Sequence, residues 1–372
     1  DLLRTGFDRS PMFNGRIRGV GPRYCPSIED KIDRFADKER HQLFVEPEGW
    51  DTVEVYVNGF SSSLPEEVQY AALRKVEGFE NCKMFRPGYA IEYDYFPPTQ
   101  LGPSLETRLV KNLFFAGQIN GTTGYEEAAS QGLMAGINAA LAIKEEAPFI
   151  LKRSEAYIGV LIDDLINKGT LEPYRMFTSR AEHRILLRQD NADIRLTPLA
   201  KAIGMQNLDD RMARLEAKQE GIRTIDQMLS SLNADPEQIN PFLESIESAP
   251  ITQKTKIDLI LSRPHVGLDD IRTYLPQLEE VLSPFDDETI SLAEVDIKYR
   301  GYIEREQEMV DKMNRLEDLI LHDNFDYSRI SSLSHESREK LTRMRPRTLG
   351  QASRISGVSP SDISVLLVHM GR

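Results

Sequence analysis

Cys25 stands in Gly21-Pro22-Arg23-Tyr24-Cys25-Pro26-Ser27, where prolines on both sides hold the thiol in a stiff loop. Ser27, with Glu29 and Asp30 close behind, marks a helix start running through Phe35, and a helix start lowers the pKa of a nearby thiol. Such a cysteine suits nucleophilic addition, but the commoner reading is the small buried hydrophobe that most free cysteines are. Cys82, in Glu80-Asn81-Cys82-Lys83, has no such setting and reads as inert. A second feature is glycine-rich: Gly117, Gly121 and Gly124 in Gly117-Gln118-Ile119-Asn120-Gly121-Thr122-Thr123-Gly124, just ahead of a helix beginning near Tyr125. Backbone without Cβ lets a flat or phosphorylated ligand approach, and unpaired N–H groups at a helix start favour an electron-rich edge or an anion. The alternative is a tight turn that needs glycine for packing. The third feature is basic. Arg180, Arg184 and Arg188 fall at i, i+4 and i+8 of a predicted helix Ser179–Arg188, with Arg175 upstream and Phe177 and His183 interleaved to stack on bases. Glu182, Asp190 and Asp193 could instead neutralise that face.

Elements must hold these groups in place. Asn112–Gly117 is a short apolar run, as a strand buried on both faces reads. The helix from Tyr125 predicts Ala128, Ala129, Leu133, Ile137 and Leu141 along its buried side, and Gly132 with Gly136 predicts close packing on a sheet. Thr52–Val57 alternates like a half-buried strand and stops at the turn signal Asn58-Gly59. Leu64–Gly78 predicts an amphipathic helix with Pro65 in its first turn and Val68, Ala71, Ala72 and Val76 on one stripe. Arg86–Pro98 is loop or edge strand because of its prolines. From about residue 150 the periodicity turns helical, over Glu155–Lys168, Asp209–Asn233, Ala293–His322 and Glu336–Thr342. The long helix, with Tyr299, Tyr302, Met309 and Leu316 among dense charges, reads as a bundle or dimer strut. Thr348–Ser356, Gly357 and Val358–Val368 read as helix, turn, helix within Arg338–Arg372, a segment of net charge +5. That resembles a helix-turn-helix, but the second helix is too apolar to read bases and suits a docking bundle.

The chain has 372 residues and a formal net charge of −13, with 40% hydrophobic and 28% charged residues. This composition excludes disorder and a wholly basic nucleic-acid binder, while leaving room for local basic patches. No apolar run is long enough for a membrane span, two cysteines cannot form a disulfide framework, and the scattered histidines offer no metal spacing, so a cytoplasmic protein without metal is expected. The start at Asp1, without Met, reads as a piece of something longer.

Taken together, Ser10–Ile17, Gly21–Lys31, Phe115–Ala128, Glu172–Glu182 and Leu349–Val358 resemble one family, the tRNA uridine 5-carboxymethylaminomethyl modification enzymes, also called glucose-inhibited division protein A (GidA, MnmG). The resemblance implies an α/β plus α fold: part of an FAD/NAD-binding α/β region followed by a mostly helical domain. Its expected divisions are 1–98 in the NAD-binding and insertion region, 99–147 in the FAD domain, and 148–372 helical, with a last subdomain from about 300. It implies FAD, NADH as reductant, methylenetetrahydrofolate as one-carbon donor, and an MnmE-type GTPase partner. Together they would build a carboxymethylaminomethyl or aminomethyl group on C5 of the wobble uridine of tRNA. A homodimer, and a heterotetramer with the GTPase, are implied as well.

Carried over by position, Cys25 would be catalytic, as nucleophile or in proton transfer. Gly117, Gln118, Asn120, Gly121, Thr122, Thr123, Gly124 and Tyr125 would contact the flavin. Gly21, Pro22, Arg23, Tyr24, Pro26, Ser27, Ile28, Glu29, Asp30, Lys31, Ile32, Asp33, Arg34 and Phe35 would form the NAD segment. Arg175, Arg180, Arg184, Arg188, Arg345, Arg347 and Arg354 would meet tRNA. The family's N-terminal motif for the FAD pyrophosphate and its second cysteine are missing from these residues, so weak flavin retention and no turnover are expected of this piece alone. A reading from a different class is a non-enzymatic nucleic-acid-binding regulator using the tail.

Overall fold

The structure, a computed structural model, describes residues 1–18, 27–170, 172–317, 319–322 and 324–371. Cys25 and the NAD-segment residues Gly21, Pro22, Arg23, Tyr24 and Pro26 lie outside the described residues. The chain divides into two compact units, one of 1–148 with 164–176 and one of 149–163 with 177–372.

In the first unit Ser27 caps α1 (Ile28–Arg34), its side chain accepting from the Asp30 N–H. A two-stranded antiparallel hairpin follows, β1 (Phe44–Pro47) with β2 (Val55–Asn58), in the register Val45 opposite Val57. The expected strand is therefore shorter, and exposed rather than half-buried, because one partner strand covers neither of its faces. Helix α2 (Glu66–Leu73) starts directly after Pro65. Its buried residues are Val68, Gln69, Ala72 and Leu73, so Ala71, expected inside, faces solvent. Residues 86–97 form no strand, as their prolines require.

The expected strand Asn112–Gly117 does not form. A single antiparallel bridge joins Glu106 to Phe114, and an apolar run becomes a buried strand only with neighbours on both edges. Helix α3 (Tyr125–Ile143) is present, but turned about its axis from the expected face: it buries Glu127, Gln131, Met134, Ala135, Asn138 and Leu141. Ala129 and Leu133 are exposed, and a Cβ at Gly132 or Gly136 would meet nothing within 4 Å, so the expected close packing there is absent among the described residues. Helix α4 (Tyr157–Lys168) gives its residues up to Asp163 to the second unit and the rest to the first.

The second unit is helical, with two cores. The first gathers α6 (Asp209–Ser231), α7 (Pro236–Ser245), α8 (Ile257–Leu261), α9 (Leu268–Arg272), α10 (Gln277–Leu282) and the start of α11 (Asp287–Glu317), while α5 (Ala192–Ala202), with no buried residue, lies against α6 outside that core. Its fully buried residues include Ile225, Leu229, Ile239, Leu243, Ile260 and Leu278. A short antiparallel pair, β3 (Asn233–Ala234) with β4 (Thr255–Lys256), lies within it. The second core joins α12 (His335–Met344), α13 (Leu349–Arg354) and α14 (Pro360–His369) through Leu341, Leu349, Ala352, Ile363 and Leu366. Gly357, at φ +92°, makes the turn between α13 and α14, where a Cβ would strike the Glu336 and Lys340 side chains. The tail is thus a bundle, its apolar helix packed inward. The architecture is the expected α/β-region remnant followed by helices. No helix among the described residues is long and apolar enough to cross a membrane.

Candidate functional site

The glycine-rich turn is a single 3-10 turn, Gly117–Asn120, entered from extended Ala116 and left through Gly121 in the left-handed region at φ +78°. Gly124 then precedes α3 with extended backbone, and Glu126 and Glu127 occupy the first helical turn, complementing the dipole. Two of the three glycines answer to packing. A Cβ at Gly121 would crowd Tyr95 and Thr170, and one at Gly124 would collide with Glu127 Oε2.

Beneath the turn lies a buried polar network. Gln131 Oε1 accepts from the Gly117 N–H at 3.2 Å and from Asn120 Nδ2 at 2.8 Å. Gln131 Nε2 donates to Thr122 Oγ1 at 2.9 Å, and Thr122 Oγ1 donates to the Gly117 carbonyl at 3.0 Å. Asn120 Nδ2 also reaches the Phe115 carbonyl at 3.0 Å. On the far side Glu127 Oε1 accepts from the Met176 N–H at 2.8 Å and pairs with Arg175 Nε at 3.2 Å. The Tyr174 N–H binds the Gly121 carbonyl at 2.7 Å. The Gly117–Gly124 turn, the helix start and residues 174–176 are therefore one assembly.

This assembly leaves hydrogen-bonding capacity over. Asn120 Oδ1, Thr123 Oγ1 and Glu127 Oε2 are buried and unpartnered among the described residues. Gln118, half-buried, spends its side-chain amide on no described residue. An unsatisfied buried acceptor costs about 1–3 kcal/mol, so these oxygens suit a ligand that brings N–H or O–H donors.

The described part of the NAD segment is mixed. Ile28 and Glu29 are buried, Glu29 Oε1 accepting from the Ser63 N–H at 2.7 Å and from its hydroxyl at 2.8 Å. Lys31 Nζ is held on the Gly59 carbonyl at 2.7 Å, and Asp30 pairs with Arg34 at 3.3 Å. Ile32 is half-buried, while Asp33 and Phe35 are exposed.

The arginines are scattered. Ser179–Arg188 is not an α-helix: a 3-10 turn spans Thr178–Arg180 and irregular turns follow. The cause is tertiary. Glu182 is drawn to Arg153 by bonds of 2.7 and 2.8 Å, and its neighbour His183 is buried on Glu306 at 3.2 Å, unable to stack on a base. Arg188 pairs with Asp190 and Asp296, Arg180 stands over the Phe177 ring at 5.9 Å, and Arg354 is nearly buried on Asp163. Arg345 is exposed, with one guanidinium nitrogen on the Phe325 carbonyl. Arg184 and Arg347 present exposed guanidiniums. Sequence reasoning missed Gln131 and Glu127. Their signal was polar residues four apart on the helix that leaves the glycine-rich turn.

Three family profiles match the chain: "Glucose inhibited division protein A" over residues 1–147, "tRNA modifying enzyme MnmG/GidA C-terminal helical domain" over 209–307, and the corresponding "C-terminal helical bundle" over 309–372. The tRNA uridine 5-carboxymethylaminomethyl modification enzyme MnmG of Christiangramia forsetii is 63% identical over 374 residues, covering 100% of this chain and 60% of the relative. The protein of the same name from Cytophaga hutchinsonii is 61% identical, with the same coverage. Two crystal forms of Aquifex aeolicus GidA superpose with TM-scores of 0.80 and 0.81, at 41% and 44% identity, covering 100% of this chain and 57% and 58% of theirs. The chain spans about 60% of the length of the curated relatives it matches.

Proposed function

The chain belongs to the MnmG/GidA family, and from that premise we propose that it forms the flavin-turn and tRNA-binding part of an FAD- and NADH-dependent enzyme. With an MnmE-type GTPase, the enzyme adds a carboxymethylaminomethyl or aminomethyl group to C5 of the wobble uridine, taking its carbon from methylenetetrahydrofolate. It works as a homodimer, joined by the GTPase into a heterotetramer. The observation that carries the reading is the Gly117–Gly124 turn, with its uncommitted Gln118 amide and the buried, unpartnered Asn120 Oδ1 and Thr123 Oγ1.

These residues fit a flavin. An isoalloxazine with its ribityl chain carries both acceptors and N–H or O–H donors, and the turn offers a free amide beside free oxygens. Bound there, FAD would supply the redox capacity, with NADH as its reductant. The chain's own residues would do the rest: Gln118 would hold the ring, the start of α3 would offer it unpaired N–H groups, and Arg184 and Arg347 would meet phosphates. Cys25 either adds to C6 of the uracil, which makes C5 nucleophilic, or assists proton transfer there.

The test supplies the enzyme, at the length of its relatives, with an unmodified tRNA transcript, the GTPase with GTP, NADH, the folate donor and glycine or ammonium. Nucleoside digestion should show the added mass on the wobble uridine, lost with Cys25→Ser. An unmodified nucleoside from the intact enzyme would overturn the reading.

A further inference from the structure

We propose that Gln131 is a positioning residue for the flavin, setting the shape of the turn that carries Gln118; the inference rests on the reading that FAD meets this turn. Gln131 is fully buried, and both ends of its amide are engaged. Oε1 takes the Gly117 backbone N–H at the start of the turn and the Asn120 side chain at its end, while Nε2 holds Thr122 just beyond. Gln118 lies between these fixed points, so its side chain is directed by a residue it does not touch.

The polarity of the network has one solution. Thr122 Oγ1 gives its proton to the Gly117 carbonyl and must therefore accept from Gln131 Nε2, which also donates to the Glu127 carbonyl at 3.0 Å. The Gln131 oxygen must then face Asn120, whose NH2 serves it and the Phe115 carbonyl together. Asn120 Oδ1 is thereby turned outward from these bonds and left as the unpartnered acceptor. Gln131 thus fixes two things: where the Gln118 backbone lies, and that Asn120 offers a ligand its oxygen rather than its nitrogen. The cofactor group that suits this oxygen is a donor, a ring imide N–H or a ribityl hydroxyl.

Gln131→Glu keeps the shape and removes the donor, leaving an oxygen against Thr122 Oγ1 and the Glu127 carbonyl. Thr122→Val breaks the same relay from the turn and serves as the second variant should the first fail to fold. Asn138→Ala is the structural control, buried on the same face of α3 two turns beyond Gln131, with a bond of 3.4 Å to the Ser104 carbonyl. In the enzyme at the length of its relatives, flavin affinity, the visible flavin band and the melting temperature of the flavin-free protein are measured together. Gln131→Glu and Thr122→Val should weaken flavin binding by about tenfold and shift the band. Asn138→Ala should lower the melting temperature while leaving affinity and band unchanged. Unaltered affinity and band in both relay variants, or equal loss in the control, would overturn the positioning role. Gln118→Ala separates the two readings: if it too leaves the flavin untouched while the intact enzyme binds FAD, the turn is not the flavin site.

Discussion

Arg354 and Asp163 meet through Nε and Nη2, each bond 2.8 Å, and both side chains are nearly buried. Asp163 also receives Arg153 Nη1 at 3.0 Å, so one carboxylate serves two guanidiniums. Removing a partner from a buried pair leaves a desolvated charge, though here Asp163 keeps Arg153. Arg354→Ala should therefore cost about 2 kcal/mol of stability in denaturant unfolding, and Asp163→Ala more, because it takes one carboxylate from two guanidiniums at once, leaving Arg153 with Glu182. An Arg354→Ala protein as stable as the parent would show that the pair is dispensable. From sequence Arg354 belonged with the RNA-facing arginines. A basic residue in a basic tail gives no hint of an acid 191 positions away. Gly117, Gly121 and Gly124 were legible for the opposite reason, since positive φ or a missing Cβ marks a residue type directly.

Helices of the second unit were readable wherever apolar residues face a core, as in α6, whose start at Asp209 the periodicity gives correctly. Periodicity failed for α3, because Glu127, Gln131 and Asn138 are its inner residues, and a rule that puts apolar side chains inside turns such a helix the wrong way. It also missed α5, which carries Pro198.

The element-scale prediction concerns α12 and α14. Asp362 accepts from the Ser359 N–H and hydroxyl at the start of α14, and from the Ser334 N–H at the start of α12. Burial pushes its carboxyl up, but these hydrogen bonds outweigh burial and hold it well below the ordinary carboxylate range. The unfolded chain therefore binds the proton more readily. This stabilisation is full above the unfolded value of about 3.9 and fades as pH falls from there toward the depressed folded value. Melting of the C-terminal bundle should drop between about pH 4 and pH 2, and Asp362→Asn should lower its stability at pH 7 by about 1 kcal/mol while flattening that acid slope. An unchanged slope in the variant would place the acid sensitivity elsewhere.

At the scale of the whole chain, a net charge of −13 means that the proposed attraction to tRNA has to be local. Arg184 and Arg347 are exposed, whereas Arg188 and Arg354 are neutralised by carboxylates. Arg184→Ala and Arg347→Ala should each weaken tRNA binding and reduce the slope of log K against log salt by roughly 0.7–0.9. Measured by filter binding across a salt series, unchanged slopes for both would remove these arginines from the RNA contact.

The Asp163 clasp also imposes an order on manufacture. Arg153 and Asp163 leave the ribosome close together, but Arg354 follows Asp163 by 191 residues, roughly 10–40 s later at ordinary elongation rates. Through that interval the acid has Arg153 beside it but lacks Arg354, and the second unit must wait for its last lock. Closure of the bundle onto the Arg153–Asp163 pair is therefore a late event in the life of each new chain, with the intervening helices made before it.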